Sequence, residues 1–167
     1  MKKIEEVLRD CVNLHWLRPD NALWVLSFYQ TFAKEIQDAC TKSNRTLDLG
    51  CGDGTTSLIL LDGKFNKSFD VYHDVQNNIE SSNIHSDTGS LRDEKGDFYN
   101  IYTKKWKENL ILDEYNQFRF SEGSDWKEAL TRKALDIGCY DKVSIYDANE
   151  RLPNEDNSLD FIFSTII

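Results

Sequence analysis

Residues 46–54 read TLDLGCGDG, and this stretch decides the fold. The apolar and β-branched side chains at 46, 47 and 49 predict a buried strand. Gly50, Gly52 and Gly54 follow at alternate positions, where the absence of a Cβ lets the chain turn sharply and approach a ligand closely. The apolar run 57–61 predicts a helix whose amino terminus faces the bound molecule. Together these features predict a binding site for a nucleoside cofactor.

The spacing of the glycines separates two classes of cofactor. A dinucleotide fingerprint that starts at Gly50 needs its third glycine at position 55, which is Thr55. Asp48 would also repel a pyrophosphate, whereas its carboxylate suits a ligand that carries an ammonium and a sulfonium. S-adenosylmethionine is therefore the favoured cofactor, and a nicotinamide-dependent oxidoreductase is the less favoured alternative.

A second motif lies near the carboxyl end of the chain. Residues 140–148 read YDKVSIYDA and residues 152–164 read LPNEDNSLDFIFS. Together with the acidic residue and glycines of residues 48–54, this pattern resembles the class I S-adenosylmethionine-dependent methyltransferases, in particular the type 11-like domain. Leu159 stands where the family usually has Phe, which is a conservative departure.

The resemblance implies a Rossmann-like, doubly wound α/β sheet and roles for particular residues. By this resemblance, Asp147 would accept a hydrogen bond from the adenine amino group, and the backbone amide of Ala148 would contact the adenine ring. Ser164 would end the strand that faces the reacting methyl group. Asp48 would engage the amino group of the methionine part, directly or through water, and the backbone of Gly50, Cys51 and Gly52 would approach the cofactor.

The acidic residue that holds the ribose hydroxyls has two candidates. One is Asp74, after the run 69–73, about 20 residues beyond the glycine turn, where such a carboxylate generally lies. The other is Asp125, which is followed by an amphipathic pattern over 126–137 that stops at Gly138. Because that helix leads directly into the third strand, we choose Asp125, with Trp126 flanking the adenine. The predicted cofactor-binding set is Asp48, Leu49, Gly50, Cys51, Gly52, Asp125, Trp126, Asp147, Ala148 and Ser164.

This choice divides the chain into three parts. Residues 1–45 are a predicted N-terminal helical cap with apolar residues at helical spacing. Residues 46–167 are a partial cofactor-binding domain, with an insertion at about 62–116. Residues 76–96 within it are rich in Asn, Ser, Asp and Gly, which predicts loop or disorder. The aromatic patch over 98–112 predicts packing on the body, or a lid over the cofactor.

The predicted sheet ends early. A methyltransferase of this class has seven strands, and only the fourth is reached, at 160–164, before the sequence ends. The family's strand order puts the first and fourth strands side by side, so the apolar run 161–167 would be an open edge. We therefore expect a fragment incomplete at its carboxyl end, or self-association or a partner chain at this edge.

Composition narrows the partners and the compartment. The net charge of −9 disfavours nucleic-acid binding, and no run is apolar and long enough to span a membrane. The four cysteines are dispersed and there are only three histidines, so the sequence does not predict a metal site. Four free thiols indicate a reducing compartment, and we therefore expect a cytoplasmic location.

The predicted function is methyl transfer from S-adenosylmethionine to a small-molecule or sugar-like acceptor. The alternative is a catalytically silent S-adenosylmethionine-binding module that lacks an acceptor site. The catalytic residue stays unknown, because His15, His73 and Asp160 are candidates that each have an ordinary structural interpretation.

Overall fold

A computed structural model describes residues 1–15, 19–41, 44–63 and 118–165 of the chain. They form an α/β fold in which N-terminal helices precede a four-stranded parallel sheet, consistent with a Rossmann-like fold. This confirms the predicted α/β class and the N-terminal helices. In chain order the elements are α1 (Ile4–His15), α2 (Pro19–Thr41), β1 (Thr46–Leu49), α3 (Thr55–Leu60), β2 (Phe120–Asp125), α4 (Glu128–Ile137), β3 (Tyr140–Ile145) and β4 (Phe161–Phe163).

The four strands lie in the order β3-β2-β1-β4, and every neighbouring pair is parallel. Leu47 on β1 is opposite Glu122 of β2 on one side and Ile162 of β4 on the other. The prediction that the first and fourth strands are neighbours is therefore confirmed. β4 is the outer strand of the sheet that the described residues form, and Ile162 on it is 51% exposed.

The helices pack in a continuous layer, with α1 on α2, α2 on α3 and α3 on α4. Burial follows helical spacing because residues three or four apart share one face. On α1 the buried apolar residues are Val7 and Cys11. On α2 they are Ala22, Val25, Tyr29, Ala33, Ile36, Ala39 and Cys40. The short α3 is almost entirely buried because three helices surround it.

The segment from β2 through α4 to β3 has the predicted order. α4 packs on both β2 and β3, and it begins at Glu128, two residues later than the amphipathic pattern suggests. It ends where Gly138 adopts a left-handed conformation with φ of 81°, and the Gly138 amide donates to the Leu135 carbonyl at 3.3 Å. A glycine stops the helix at this point because it adopts positive φ without steric cost.

Several predictions fall on residues 16–18, 42–43, 64–117 and 166–167, which are outside the described part. These include the insertion beyond its first two residues, the lid, His73 and the alternative ribose ligand Asp74. The domain boundaries stay predictions. Within the described ranges, no helix has the length and apolar character needed to cross a bilayer.

Candidate functional site

The glycine turn connects β1 to α3 and is held against the end of β2. Gly50, Gly52 and Gly54 all have positive φ, at 77°, 57° and 83°. The amides of Gly50 and Cys51 both donate to the carbonyl of Ser124 at 2.8 Å. A side chain other than glycine is strained at such φ values, so the three glycines are required by the backbone itself. The turn therefore lies directly beside the carboxyl end of β2.

Asp125 joins this turn to the helix that follows β2. Its Oδ2 accepts the Gly52 amide at 3.1 Å, and its Oδ1 accepts the Lys127 amide at 2.9 Å. A carboxylate offers about four lone-pair positions, so each oxygen retains capacity for one more donor. The geometry fixes the carboxylate while leaving it able to accept two hydroxyl groups.

A pocket of about 370 Å³ opens at the carboxyl ends of β1, β2 and β3. This volume lies within the usual range for small-molecule sites. Ligands of open parallel α/β sheets bind at this edge of the sheet. The lining residues are Leu49, Gly50, Ser124, Asp125, Trp126, Tyr146, Asp147, Ala148 and Asn149.

Six of the predicted cofactor-binding residues thus meet at one pocket: Leu49, Gly50, Asp125, Trp126, Asp147 and Ala148. Trp126 is 65% exposed, and the Lys127 ammonium lies over its ring at 4.8 Å from the centroid. The exposed Asp147 turns its Oδ1 toward the amide and side-chain nitrogen of Asn149, at 2.9 and 2.8 Å. Those bonds lower the pKa of Asp147, so the carboxylate is ionised at neutral pH.

The other predicted residues are near the turn but do not line the pocket. Gly52 is linked to it through Asp125. Cys51 is buried, and burial raises the pKa of its thiol, with the Asp48 charge adding to the effect. The thiol therefore stays protonated and is no nucleophile. Ser164 directly follows β4, and its buried hydroxyl has no hydrogen-bond partner.

Asp48 lies beneath the turn, not in the pocket, and is 2% exposed. Its Oδ2 accepts hydrogen bonds from Ser57 on α3 and from the Tyr140 hydroxyl, the latter at 2.7 Å. Burial raises the pKa of this carboxyl from 3.8 to about 6; the two hydrogen bonds oppose the shift and Asp125 adds to it. Asp48 therefore ties β1, α3 and β3 together.

Gly123 on β2 makes room for the ring of Tyr140. A Cβ at position 123 would lie 2.8 Å from Cδ1 of that ring, closer than packed carbon atoms approach. We expect Gly123→Ala to lower the free energy of unfolding by about 1–3 kcal/mol, the usual cost of overpacking. Urea denaturation measures the loss.

A double-variant cycle identifies the clash. In Gly123→Ala/Tyr140→Leu the smaller side chain relieves the contact, so the double variant should be more stable than the sum of the single effects implies. Strict additivity of the two single effects would contradict this packing account.

Three of the lining residues, Ser124, Tyr146 and Asn149, were not among the predicted cofactor-binding residues. Ser124 and Tyr146 each directly precede a predicted acidic residue at a strand end, and this adjacency is the signal that could have found them. A polar cluster adjoins them: Glu122 accepts from Ser144 at 2.6 Å and from Asn154 at 3.1 Å, with Lys142 at 3.0 Å. Burial opposes the effect of these bonds, yet the pKa of Glu122 is lowered.

A larger groove, about 540 Å³, lies between α2 and the start of β4. It includes Asp160, whose carboxylate accepts the Arg45 amide at 2.8 Å. Because this groove is at the amino end of its strand, it is at the edge of the sheet opposite the pocket. Asp160 thus links the start of β4 to the residue before β1 through a hydrogen bond. It lies too far from the pocket to act there as a general base. Among the described residues, no group of three or more His, Cys, Asp or Glu side chains could hold a metal ion.

Comparison with family models, curated proteins and solved structures yields no match for this chain.

Proposed function

We propose that this chain binds S-adenosylmethionine in the pocket at the carboxyl ends of β1, β2 and β3, and transfers its methyl group to a small-molecule or sugar-like acceptor. The observation that carries the proposal is the hydrogen bond between the Gly52 amide and the Asp125 carboxylate. It brings a glycine turn after one strand next to the acidic residue that ends the neighbouring strand. The class I methyltransferase resemblance assigns the ribose of the cofactor to this pair.

The residues present fit an adenosyl group. Asp125 has two oxygens that each accept one amide and retain capacity for a ribose hydroxyl. Trp126 has an exposed indole on which a purine can stack. A Cβ at Gly52 would meet nothing within 4 Å, so the space above the turn is open for a ligand. We assign the methionine part of the cofactor to the open space above Gly52, beside the pocket. Ser164 would then face the methyl group.

Charge favours S-adenosylmethionine over a dinucleotide. Asp48 contributes a negative charge beneath the turn, and Asp125 contributes a second at its side. These charges attract an ammonium and a sulfonium and repel a pyrophosphate. Because Asp48 is buried and bonded to Ser57 and Tyr140, we assign it an electrostatic and supporting role, with any contact to the methionine amino group made through water.

The chemistry asks little of the protein beyond positioning. The sulfonium supplies a good leaving group, so an acceptor atom held in line with the methyl carbon reacts by displacement. The chain's part is to hold the adenosine, keep the acceptor aligned and exclude water. We assign no catalytic base.

Calorimetric titration of the full chain tests the proposal. We expect S-adenosylmethionine and S-adenosylhomocysteine to bind with one site per chain, and NAD to bind much more weakly or not at all. Incubation with a panel of hydroxylated small molecules and sugars, followed by detection of S-adenosylhomocysteine, then tests transfer. Binding without any transfer supports the silent module, and preference for NAD refutes the proposal.

The predicted contact at β4 also stays a proposal. β4 is the outer strand among the described residues, and it carries the half-exposed Ile162. An open strand edge presents unpaired backbone groups to another chain. We propose self-association or a partner chain at this edge.

A further inference from the structure

Two hydroxyl groups in the pocket lack hydrogen-bond partners. The side-chain oxygens of Ser124 and Tyr146 are buried, and neither makes a hydrogen bond within the described ranges of the chain. Both residues line the pocket. The two carboxylates of the same lining are already engaged, Asp125 by two amides and Asp147 by Asn149. Buried polar groups in folded proteins are nearly always paired, so these hydroxyls call for a partner that the described part of the chain does not supply.

Their position in the sheet places the two hydroxyls beside each other. Ser124 is the penultimate residue of β2 and is opposite Leu49 and Ser144 on the neighbouring strands. Tyr146 directly follows β3. The Ser124 hydroxyl is close enough to affect the ionisation of Tyr146, but the two groups do not meet with hydrogen-bond geometry. Each therefore retains an O–H donor and lone pairs that the described residues do not use, and both residues line the pocket.

Both hydroxyls are donors at neutral pH. Burial raises the pKa of Tyr146 above its ordinary value of 10, and the charge of Glu122 acts in the same direction. A serine hydroxyl does not ionise in this range. Two donors require a ligand with unprotonated acceptor atoms. The ring nitrogens of a purine are such acceptors, and they are fixed in one plane.

We propose that the Ser124 and Tyr146 hydroxyls donate hydrogen bonds to ring nitrogens of a purine whose ribose is held by Asp125. They make the pocket specific for that base, beyond the stacking that Trp126 offers to any aromatic ring. The inference rests on the proposed function, because it names the part of the cofactor that these two residues recognise. Asn154 Oδ1 and Ser164 Oγ are also buried and unpartnered, but they do not line the pocket and have no part in this assignment.

The experiment compares the wild type with Tyr146→Phe and Ser124→Ala. The probes are adenosine, S-adenosylhomocysteine and the 1-, 3- and 7-deaza analogues of adenosine, each of which replaces one ring nitrogen by C–H. We expect each variant to bind adenosine and S-adenosylhomocysteine about three- to tenfold more weakly than the wild type, the usual effect of one hydrogen bond. For each variant, one deaza analogue should lack the ring nitrogen that the deleted hydroxyl contacts. That analogue should bind the wild type about three- to tenfold more weakly than adenosine does, and the variant should bind it no more weakly than the wild type does.

A matched control removes a tyrosine hydroxyl elsewhere. Tyr29 on α2 donates to Asp62 at 2.5 Å and lies outside the pocket lining, so Tyr29→Phe should bind every probe as the wild type does. Without ligand, Tyr146→Phe and Ser124→Ala should unfold at the same urea concentration as the wild type or a higher one, since neither loses a hydrogen bond. That readout separates a ligand-binding role from a structural one.

The outcomes distinguish two failures. If the wild type binds neither adenosine nor S-adenosylhomocysteine, the proposed function fails. If the wild type binds both and the two pocket variants bind them equally well, the function stands and the base recognition is wrong. An equal loss for all three deaza analogues in a variant would also overturn it, because no single ring nitrogen would then be the partner.

Discussion

Asp125→Asn should weaken binding of S-adenosylhomocysteine about 100-fold, the largest effect we expect from one substitution. Two hydrogen bonds from ribose hydroxyls to a carboxylate contribute about 3 kcal/mol together, and a neutral amide accepts from only one of its two heavy atoms. The substitution also places an NH2 group against an amide donor, because both Asp125 oxygens already accept backbone N–H groups, from Gly52 and Lys127. The glycine turn should loosen as a result.

Calorimetry measures the affinity, and urea denaturation measures the effect on the turn. We expect the free energy of unfolding to fall by about 1–3 kcal/mol, which leaves a folded protein on which binding is measurable. Asp156→Asn is the matched control: this exposed carboxylate pairs with Arg151 at 2.9 Å, and an exposed ion pair contributes little. If Asp125→Asn binds S-adenosylhomocysteine as tightly as the wild type, Asp125 is not the ribose ligand.

The parts of the fold that the sequence predicts are those specified by local patterns. Glycines at alternate positions after an apolar strand predict a sharp turn, and all three glycines have the positive φ that such a turn allows. The amphipathic pattern that ends at Gly138 likewise identifies α4 and, with it, the second and third strands. That segment was preferred to residues 69–74 because a helix and its stop signal are encoded within about a dozen residues.

The interior of the site was not predictable because it depends on contacts between distant residues. The Tyr140 hydroxyl reaches Asp48 across 92 positions in sequence, and no spacing rule indicates such a bond. Side chains alternate between the two faces of β1, and this alternation determines where Asp48 lies. Asp48 points to the helices and contacts Ser57, whereas Leu49 and Gly50 line the pocket. Asp48 was predicted to engage the methionine amino group directly or through water because its charge is visible in the sequence, whereas its burial is not.

The same burial makes Asp48→Asn the second large effect, through its dependence on pH. The folded-state pKa of Asp48 is about 6 against 3.8 in the unfolded chain, so the native state binds the proton more tightly. As the pH rises from about 4 to about 6 the native protein must give up that proton, and stability falls until Asp48 is ionised in both states. Above pH 6 the penalty is constant at about 3 kcal/mol, from a shift of about two pH units.

Asparagine carries no charge and so escapes this penalty. Relative to the wild type, Asp48→Asn should therefore gain about 2 kcal/mol in free energy of unfolding between pH 4.5 and pH 7.5, as measured by urea denaturation at both values. Asp141→Asn, at an exposed position on β3, should show no such gain.

Asp48→Asn also removes the negative charge beneath the turn. S-adenosylmethionine, which carries a sulfonium, should therefore lose more affinity than S-adenosylhomocysteine, which carries an uncharged thioether. A stability difference that is the same at both pH values would mean that Asp48 is not buried as a charge, and equal losses for the two ligands would mean that its charge does not act on the sulfonium.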